Sequence, residues 1–377
     1  MDALTTPSNW QRVRLGDILT LKHGRDYKKF KLGNIPVYGS GGYMLSINNF
    51  LHNGESVCIG RKGTIDKPIY LNGKFWVVDT LFYSYSFKKS IPKFIFYAFS
   101  IIKWSNYNEA TGVPSLTKMT ISNTEIPLPP LNEQIAIANI LSDVDRYLYN
   151  LDALILKKES VKKALSFELL SQRKRLKGFN QAWQRVRLGT YKYRRGSFPQ
   201  PYGNPQWYSD NGMPFVQVYD VGENFKLTQK TKQKISKIAQ PMSVFVPKNS
   251  VIITLQGTIG RVALTQYDCY CDRTILIFDN NTLNDVNKYF FVLSLFTKFE
   301  EEKRKADGSI IKTITKQTLK DFEILLPPLK EQIAIANILS DLDHEIISLK
   351  NKKRQFENIK KALNHDLMSA KIRVLKK

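Results

Sequence analysis

Two long stretches of this chain carry apolar residues in alternating steps of four and three. The first runs through Ile137, Leu141, Val144, Leu148, Leu151 and Ile155 and continues through Val161, Leu165 and Leu169. The second runs through Ile335, Leu339, Leu342, Ile346, Leu349, Phe356, Ile359 and Leu363. That spacing predicts two heptad seams, hence two long helices, the first over 132–176. Each follows a Pro-Pro pair with Glu in the next turn, a helix-start signal. Matching seams are most simply buried against each other, as an antiparallel pair. The rest of the chain reads differently. Short β-branched and aromatic runs, Ser56–Ile59, 75–87, 250–255 and 274–278, stand between Gly, Asn and Pro and predict strands. One helix is expected among them in each half, near 92–104 and 286–305, the first containing the apolar run Phe94–Ile102.

The pattern is duplicated almost letter for letter at two joints. Pro129 to Asp145 returns as Pro327 to Asp343, differing only at Asn132/Lys330 and Val144/Leu342. Trp10-Gln-Arg-Val-Arg-Leu-Gly16 returns unchanged as Trp183 to Gly189. The first pair of motifs lies 198 residues apart and the second 173, so the second variable region is 25 residues longer. Gly63-Thr-Ile65 and Gly257-Thr-Ile259 match at an offset of 194, which places 21 of those residues before this turn. The expected architecture is α+β with a pseudo-two-fold internal repeat. Two mostly-β domains (1–130 and 179–328) are joined by two long antiparallel coiled-coil helices (131–178 and 329–377).

Composition adds one strong signal. The formal net charge is +24, spread as +8, +3, +8 and +5 over those four segments. An excess shared equally by both β domains favours a polyanion held along the molecule, nucleic acid first. No apolar run approaches a bilayer span, and the first seven residues lack a signal-peptide pattern, so a cytoplasmic location without membrane contact is expected. Cys58, Cys269 and Cys271 form no disulfide framework, and Cys269-x-Cys271 has no second pair for zinc.

Chemistry-bearing motifs are few. Pro36 to Tyr43 is a glycine-rich loop without the Lys-Ser/Thr of a phosphate-binding loop; it fits close approach to a backbone or a plain hairpin turn. Arg61-Lys62-Gly63-Thr64 sets two cations beside a turn glycine, and the second copy has Gln256-Gly257-Thr258. Arg and Lys read guanine edges and Gln reads adenine, so one turn with different polar heads suits two readers of two sequences. Thr117-Lys118 and Thr315-Lys316 are the same in both copies, which suits phosphate contact or a shared turn. Glu301-Glu302-Lys303 lies in a charge run at a helix end and reads as solvated. No catalytic constellation, metal-spaced His pair or [Asp/Asn]-Pro-Pro-aromatic tetrapeptide is present.

At Pro-Pro-Leu-x-Glu-Gln-x-x-Ile-Ala-x-Ile-Leu-Ser-x-x-Asp, twice, the sequence resembles the specificity subunits of Type I restriction-modification systems. Trp-x-x-Val-x-Leu-Gly at the head of each half, Pro214 to Asp220, and Lys-Lys-Ala-Leu at 162–165 and 360–363 extend the resemblance over essentially the whole chain. It implies a non-catalytic subunit whose two target recognition domains each read half of a bipartite double-stranded DNA site. The helices would act as a ruler and dock two methyltransferase subunits, with restriction/translocase subunits joining that core. No cofactor is expected in this chain, and S-adenosylmethionine belongs to the partner methyltransferase. On these grounds DNA contact falls to Tyr38, Ser40, Gly41, Arg61, Lys62, Thr64, Thr117 and Lys118 in the first half. In the second it falls to Arg194, Arg195, Gln217, Tyr219, Gln256, Thr258, Arg261, Thr315 and Lys316. The halves differ where Tyr38-Gly-Ser-Gly-Gly42 meets Val218-Tyr-Asp220. Two other classes compete. A self-contained modification enzyme lacks room for a catalytic domain, and a stand-alone two-domain DNA-binding regulator would lack the methyltransferase.

Overall fold

The computed structural model describes residues 9–222, 224–305 and 316–374. The chain forms two compact units, one of residues 1–154 with 349–377 and the other of residues 155–348. Each holds one β domain and part of both long helices, so the covalent segments and the compact units divide the chain differently.

In the first unit the order is β1 (Gln11–Arg14), α1 (Leu15–Ile18), β2 (Thr20–His23), β3 (Leu32–Gly39), β4 (Gly42–Ile47), β5 (His52–Asn53), β6 (Ser56–Gly60), β7 (Ile69–Leu71), β8 (Lys74–Val77) and β9 (Leu81–Tyr85). Helix α2 (Pro92–Ile101), helix α3 (Lys118–Asn123) and strand β10 (Glu125–Leu128) lead into α4 (Leu131–Leu170). Two four-stranded sheets result, ordered β2-β9-β6-β7 and β4-β3-β8-β5. The run predicted as one strand over 75–87 is broken at Val78–Thr80, where the chain turns from one sheet to the other. The core joins Trp10, Val57, Phe82, Phe94, Tyr97, Trp104, Leu141 and Leu367, all nearly inaccessible.

The second unit repeats the plan with β11 (Gln184–Arg187), β12 (Tyr193–Arg195), β13 (Tyr208–Val216), β14 (Gln233–Ile235), β15 (Val244–Val246), β16 (Val251–Thr254), β17 (Val262–Leu264), β18 (Cys269–Cys271) and β19 (Ile275–Phe278). Helix α5 (Lys288–Lys305), helix α6 (Lys316–Asp321) and strand β20 (Glu323–Leu326) precede α7 (Leu329–Met368). Its sheets, β12-β19-β16-β17 and β14-β13-β18-β15, match those of the first unit strand for strand. Cys269 and Cys271 alternate into one core cluster while Tyr270 packs against another that holds Phe198 and Phe215, as expected for a strand.

The repeated heptapeptide and the Pro-Pro motif explain each other. Strand β1 pairs antiparallel with β10, Gln11 facing Leu128 and Arg14 facing Glu125. Strand β11 pairs with β20 in the same register, Gln184 facing Leu326 and Arg187 facing Glu323. Each two-stranded clasp closes a variable domain at its two ends, immediately before a long helix. The helix start is then pinned by a buried carboxylate. Glu133 accepts from the Trp10 indole at 3.1 Å and from Arg373 Nε at 2.7 Å. Glu331 accepts from the Trp183 indole at 3.1 Å, from Arg175 Nε at 3.2 Å and from Arg175 Nη2 at 2.6 Å. The neighbouring Gln134 and Gln332 turn their amides onto backbone, donating to Pro129 O and Pro327 O, each at 2.8 Å, and accepting from Ile91 N and Asn287 N.

Within each unit the two helix segments run antiparallel. In the first, Lys360 pairs with Asp145, Lys353 meets Asp152 at 2.7 Å, and Tyr147 lies 4.5 Å from Phe356 between ring centroids. In the second, Lys162 pairs with Asp343 and Lys158 meets Glu345 at 2.8 Å. The apolar seam departs from expectation at one repeated position. Val161 is 45% and Ile359 51% exposed, because beside them Lys162 and Lys360 reach across to carboxylates. Helix α4 also stops at Leu170 rather than 176. There Lys174 N bonds to Glu168 O at 3.1 Å around Gln172 in the left-handed region, and Ile372 N repeats that bond to Asp366 O at 3.2 Å around Ala370. Both are C-terminal caps that close a helix in the same way.

Arg175 is the test of the carboxylate anchor. Arg175→Ala leaves Glu331, fully inaccessible, with only the indole as partner and is expected to destabilise the chain by about 3 kcal/mol. Lys177→Ala, on the exposed surface nearby, should stay within about 0.5 kcal/mol. Chemical denaturation of both variants measures the difference; equal midpoints would show that the carboxylate needs no cation.

Candidate nucleic-acid interface

The two sheets of each domain meet where a parallel strand pair ends. In the first unit β3 lies parallel to β8, with Val37 opposite Trp76 and Tyr38 opposite Val77. In the second, β13 lies parallel to β18, with Phe215 opposite Tyr270 and Val216 opposite Cys271. Loops at the carboxyl ends of these parallel strands lie beside the loops that follow β6 and β16, and together they carry most of the predicted residues.

In the first unit β3 turns at Ser40-Gly41 into β4, and the Tyr38 and Tyr43 rings stand edge to face at 6.1 Å. Ser40 N donates to Thr80 Oγ1 at 3.3 Å. The loop after β6 comes to the same place. Arg61 N donates to Thr80 O at 2.8 Å, Arg61 Nη1 to Asp79 O at 3.2 Å, and Lys62 N to Thr80 O at 3.3 Å. Gly63 takes a φ of 88°, and a Cβ there would stand 3.1 Å from Ser40 Oγ. Gly60 allows the loop to close, since a Cβ on it would fall 2.0 Å from Thr64 O. Tyr38, Ser40, Gly41, Arg61, Lys62 and Thr64 are thus brought to one neighbourhood. Beside it lies an open cleft of about 750 Å³ lined by Asp26, Tyr27, Lys28, the Gly39–Met44 turn and Val78–Thr80.

The segment carrying Thr117 and Lys118 joins this face through Gly63 N, which donates to Pro114 O at 2.9 Å, and Leu116 N, which donates to Arg61 O at 3.0 Å. Thr117 caps helix α3: its hydroxyl accepts from Thr120 N at 3.2 Å and donates to Glu109 Oε1 at 3.0 Å. Hydroxyl donation from Thr120 and Thr117 holds the Glu109 carboxyl below its usual range. Its hydroxyl is therefore occupied, whereas Lys118 extends into solvent from the first turn of that helix. Thr315 and the Lys316 side chain fall outside the described residues.

In the second unit β13 enters a short helical turn, Val218–Asp220, where the first has a hairpin. Gln217 N donates to Asp220 Oδ2 at 2.9 Å and Tyr219 donates its hydroxyl to Gln217 Oε1. Gly257, with φ of 70°, is the counterpart of Gly63; a Cβ on it would stand 3.5 Å from Val218. Gln256 and Thr258 are exposed on that loop beside Gln217 and Tyr219. Arg261 has a scaffolding position: Arg261 N donates to Thr254 Oγ1 at 3.0 Å and Nη1 to Val221 O at 3.1 Å. Arg194 does not join this group, whereas Arg195 lies opposite Leu276, which in turn pairs with Ile253, with its Nε buried. Arg194 Nη2 donates to Phe245 O at 3.0 Å and lines a separate cleft of about 560 Å³ with Lys192, Pro247 and Ser250. Ser250 and Gln256 flank opposite ends of β16, so that cleft lies at the far end of the strand.

The sequence reading missed the segment that both loops lean on. Asp79-Thr80 and Arg273-Thr274 follow the parallel strand in each unit, and Thr80 O and Thr274 O accept Arg61 N and Leu255 N respectively. Thr80 and Thr274 keep the offset of 194, which was the available signal. The adjacent Asp272, buried, accepts from Thr274 Oγ1 at 2.6 Å and from the Tyr202 hydroxyl. Among the described residues no group of three His, Cys, Asp or Glu side chains is placed to hold a metal, and no helix is long and apolar enough to cross a membrane.

The sequence profile of the type I restriction modification DNA specificity domain matches residues 7–159 and 196–358. A type I restriction enzyme specificity subunit of Methanocaldococcus jannaschii, MjaX, is 29% identical over 300 residues, covering 75% of this chain and 68% of that protein. A second from the same organism, MjaVIII, is 25% identical over 428 residues, covering 99% of this chain and 95% of its own. Among solved structures, the S subunit of a Type-I restriction-modification system from M. genitalium superposes with a TM-score of 0.65 at 17% identity, covering 97% of each chain.

Thr117 and Lys118 separate by experiment. Thr117→Ala should lower stability by about 1 kcal/mol through the lost cap without changing base preference. Lys118→Glu should weaken duplex binding for every sequence and make its salt dependence shallower by about one unit. A changed base preference at constant affinity in the Lys118 variant would make it a base contact instead.

Proposed function

We propose, from a chain that belongs to the type I restriction modification DNA specificity family, that it reads a bipartite double-stranded DNA site with one β domain per half-site. The observation that carries this is the paired glycine turn. Gly63 and Gly257 occupy corresponding turns beside corresponding neighbours, Ser40 and Val218, yet one turn presents Arg61 and Lys62 and the other Gln256. A common scaffold with exchanged polar heads is how two readers come to prefer different bases. The +24 charge supplies the sequence-independent attraction to phosphate.

The chemistry belongs to partners. In this reading the chain is non-catalytic; two methyltransferase subunits, which bind S-adenosylmethionine, dock on the long helices, and restriction/translocase subunits complete the assembly. Supporting the docking are apolar residues kept in both copies yet left exposed: Leu131 and Leu329 at 49% and 40%, Ile135 and Ile333 at 47% and 41%. The internal core does not account for their identity, whereas two equal docking patches for one kind of partner do. A stand-alone regulator would leave them without purpose. Co-purification separates the two readings: about two methyltransferases per chain are expected, and none would favour the regulator.

Two outcomes test the reading of DNA. Exchanging residues 17–126 with 190–324 cuts at the near-identical clasps and should give a folded chain that, with its methyltransferase, methylates a site with its halves swapped. Retained half-site order would show that the bases are read elsewhere. Inserting four residues in both helices, after Leu154 and after Ser348, adds ~6 Å and about one turn to each. A longer spacer with unchanged half-sites is expected; an unchanged spacer would remove the helices' role as a ruler.

A further inference from the structure

We propose that the connection from β13 to β16 in the second unit is a rail for the phosphates of duplex DNA, which the corresponding β3–β6 connection of the first does not provide, and that Asp220 locks it to the turn bearing Gln217 and Tyr219. The inference rests on the DNA-reading function above and assigns a part of the surface that function leaves unassigned. Residues 217–250 form this connection, against residues 40–55 between β3 and β6. The shorter stretch contains no Lys or Arg. The longer one contains Lys226, Lys230, Lys232, Lys234, Lys237 and Lys248, with no acidic residue from 226 to 248. The insertion that distinguishes the domains is therefore an insertion of positive charge.

Lys230, Lys232 and Lys237 are exposed and make no ion pair among the described residues, while Lys234 Nζ donates to the Asp210 carbonyl at 2.9 Å. Ile235 turns into the core from β14, so Lys234 faces outward, and Lys232 is exposed at the bend just before the strand. Like charges held in one segment repel, and an external polyanion removes that cost.

One buried group ties the segment to the base-reading turn. Asp220, 2% exposed, accepts from Gln217 N through Oδ2 and from Lys232 N through Oδ1, both at 2.9 Å, and its carbonyl accepts from Thr228 N at 2.9 Å. Lys232 Nζ lies 5.0 Å from the centre of the Tyr219 ring. Burial pushes the Asp220 carboxyl above its usual range, so these hydrogen bonds hold a carboxylate that the interior disfavours. Asp220 is a positioning residue: it fixes the spacing between a phosphate contact at Lys232 and base-facing groups at Gln217 and Tyr219.

The test uses the chain with its methyltransferase, the methylated motif read from host DNA, and a scrambled duplex of equal length. The variant K230Q/K232Q/K237Q should make the salt dependence of binding shallower by about two to three units on both duplexes. Backbone protection should be lost on one flank of the second half-site, with the methylated sequence and methyltransferase co-purification unchanged. A control removing three exposed lysines elsewhere, K88Q/K103Q/K177Q, should keep the wild-type protection pattern. Asp220→Asn should relax base discrimination in the second half-site alone. An unchanged salt slope, protection lost at the first half-site, or loss of the methyltransferase with DNA binding intact would each overturn the rail. Failure of the unaltered complex to prefer the motif duplex would instead remove the DNA-reading function on which it rests.

Discussion

A carboxylate without access to water sits at the start of each long helix, and the rest of the architecture is arranged around keeping it paired. Burying an ionised Glu is costly unless strong donors replace the lost water. Glu133 and Glu331 each obtain an indole N–H from the residue just before the strand that opens their domain and a guanidinium from beyond the end of the other long helix. The three groups come from widely separated parts of the sequence, so the site forms only when the clasp, the helix start and the opposite helix end are all in place. Each unit has one such site.

This constraint explains where the chain is free to vary. The clasp strands, the Pro-Pro start and the Gln amides that cap backbone groups must keep their identities because each serves a partner that cannot move. The connections that follow β3 and β13 take no part in that anchor. There one domain builds a glycine-rich hairpin and the other a helical turn with a long basic insertion, while the supporting strands keep their order. Rigid joints and permissive loops are the division expected of a scaffold that presents changeable contacts.

The frame was legible in the sequence because it is periodic and repeated. The heptad seams located both helices, and the duplicated joints marked the places where the structure forms both clasps. Two features were not legible for a physical reason. The strand break at Val78–Thr80 falls inside a run of aromatic and β-branched residues where Asp79 is the lone charged interruption, and the chain there passes between sheets largely through backbone hydrogen bonds. The exposure of Val161 and Ile359 breaks the seam because Lys162 and Lys360 pair across the helices, and such pairs depend on which residue lies opposite. At the interface, sequence placed Lys62 and Gln256 on equivalent turns, but it could not tell that Thr117 caps a helix or that Arg194 lines a cleft at the other end of its sheet. Local spacing does not encode those tertiary positions.

The cross-helix pairs have an ancestry written into them. Asp145 with Lys360 and Asp343 with Lys162 are one pair read twice, and so are Glu133 with Arg373 and Glu331 with Arg175. In every case the acid comes from one copy of the repeat and the base from the other, so a single copy already contains both partners. A polypeptide half this length, meeting a second of its own kind, would satisfy every one of these contacts. The chain has the construction of a homodimer written into one polypeptide, in which each half can vary without the other.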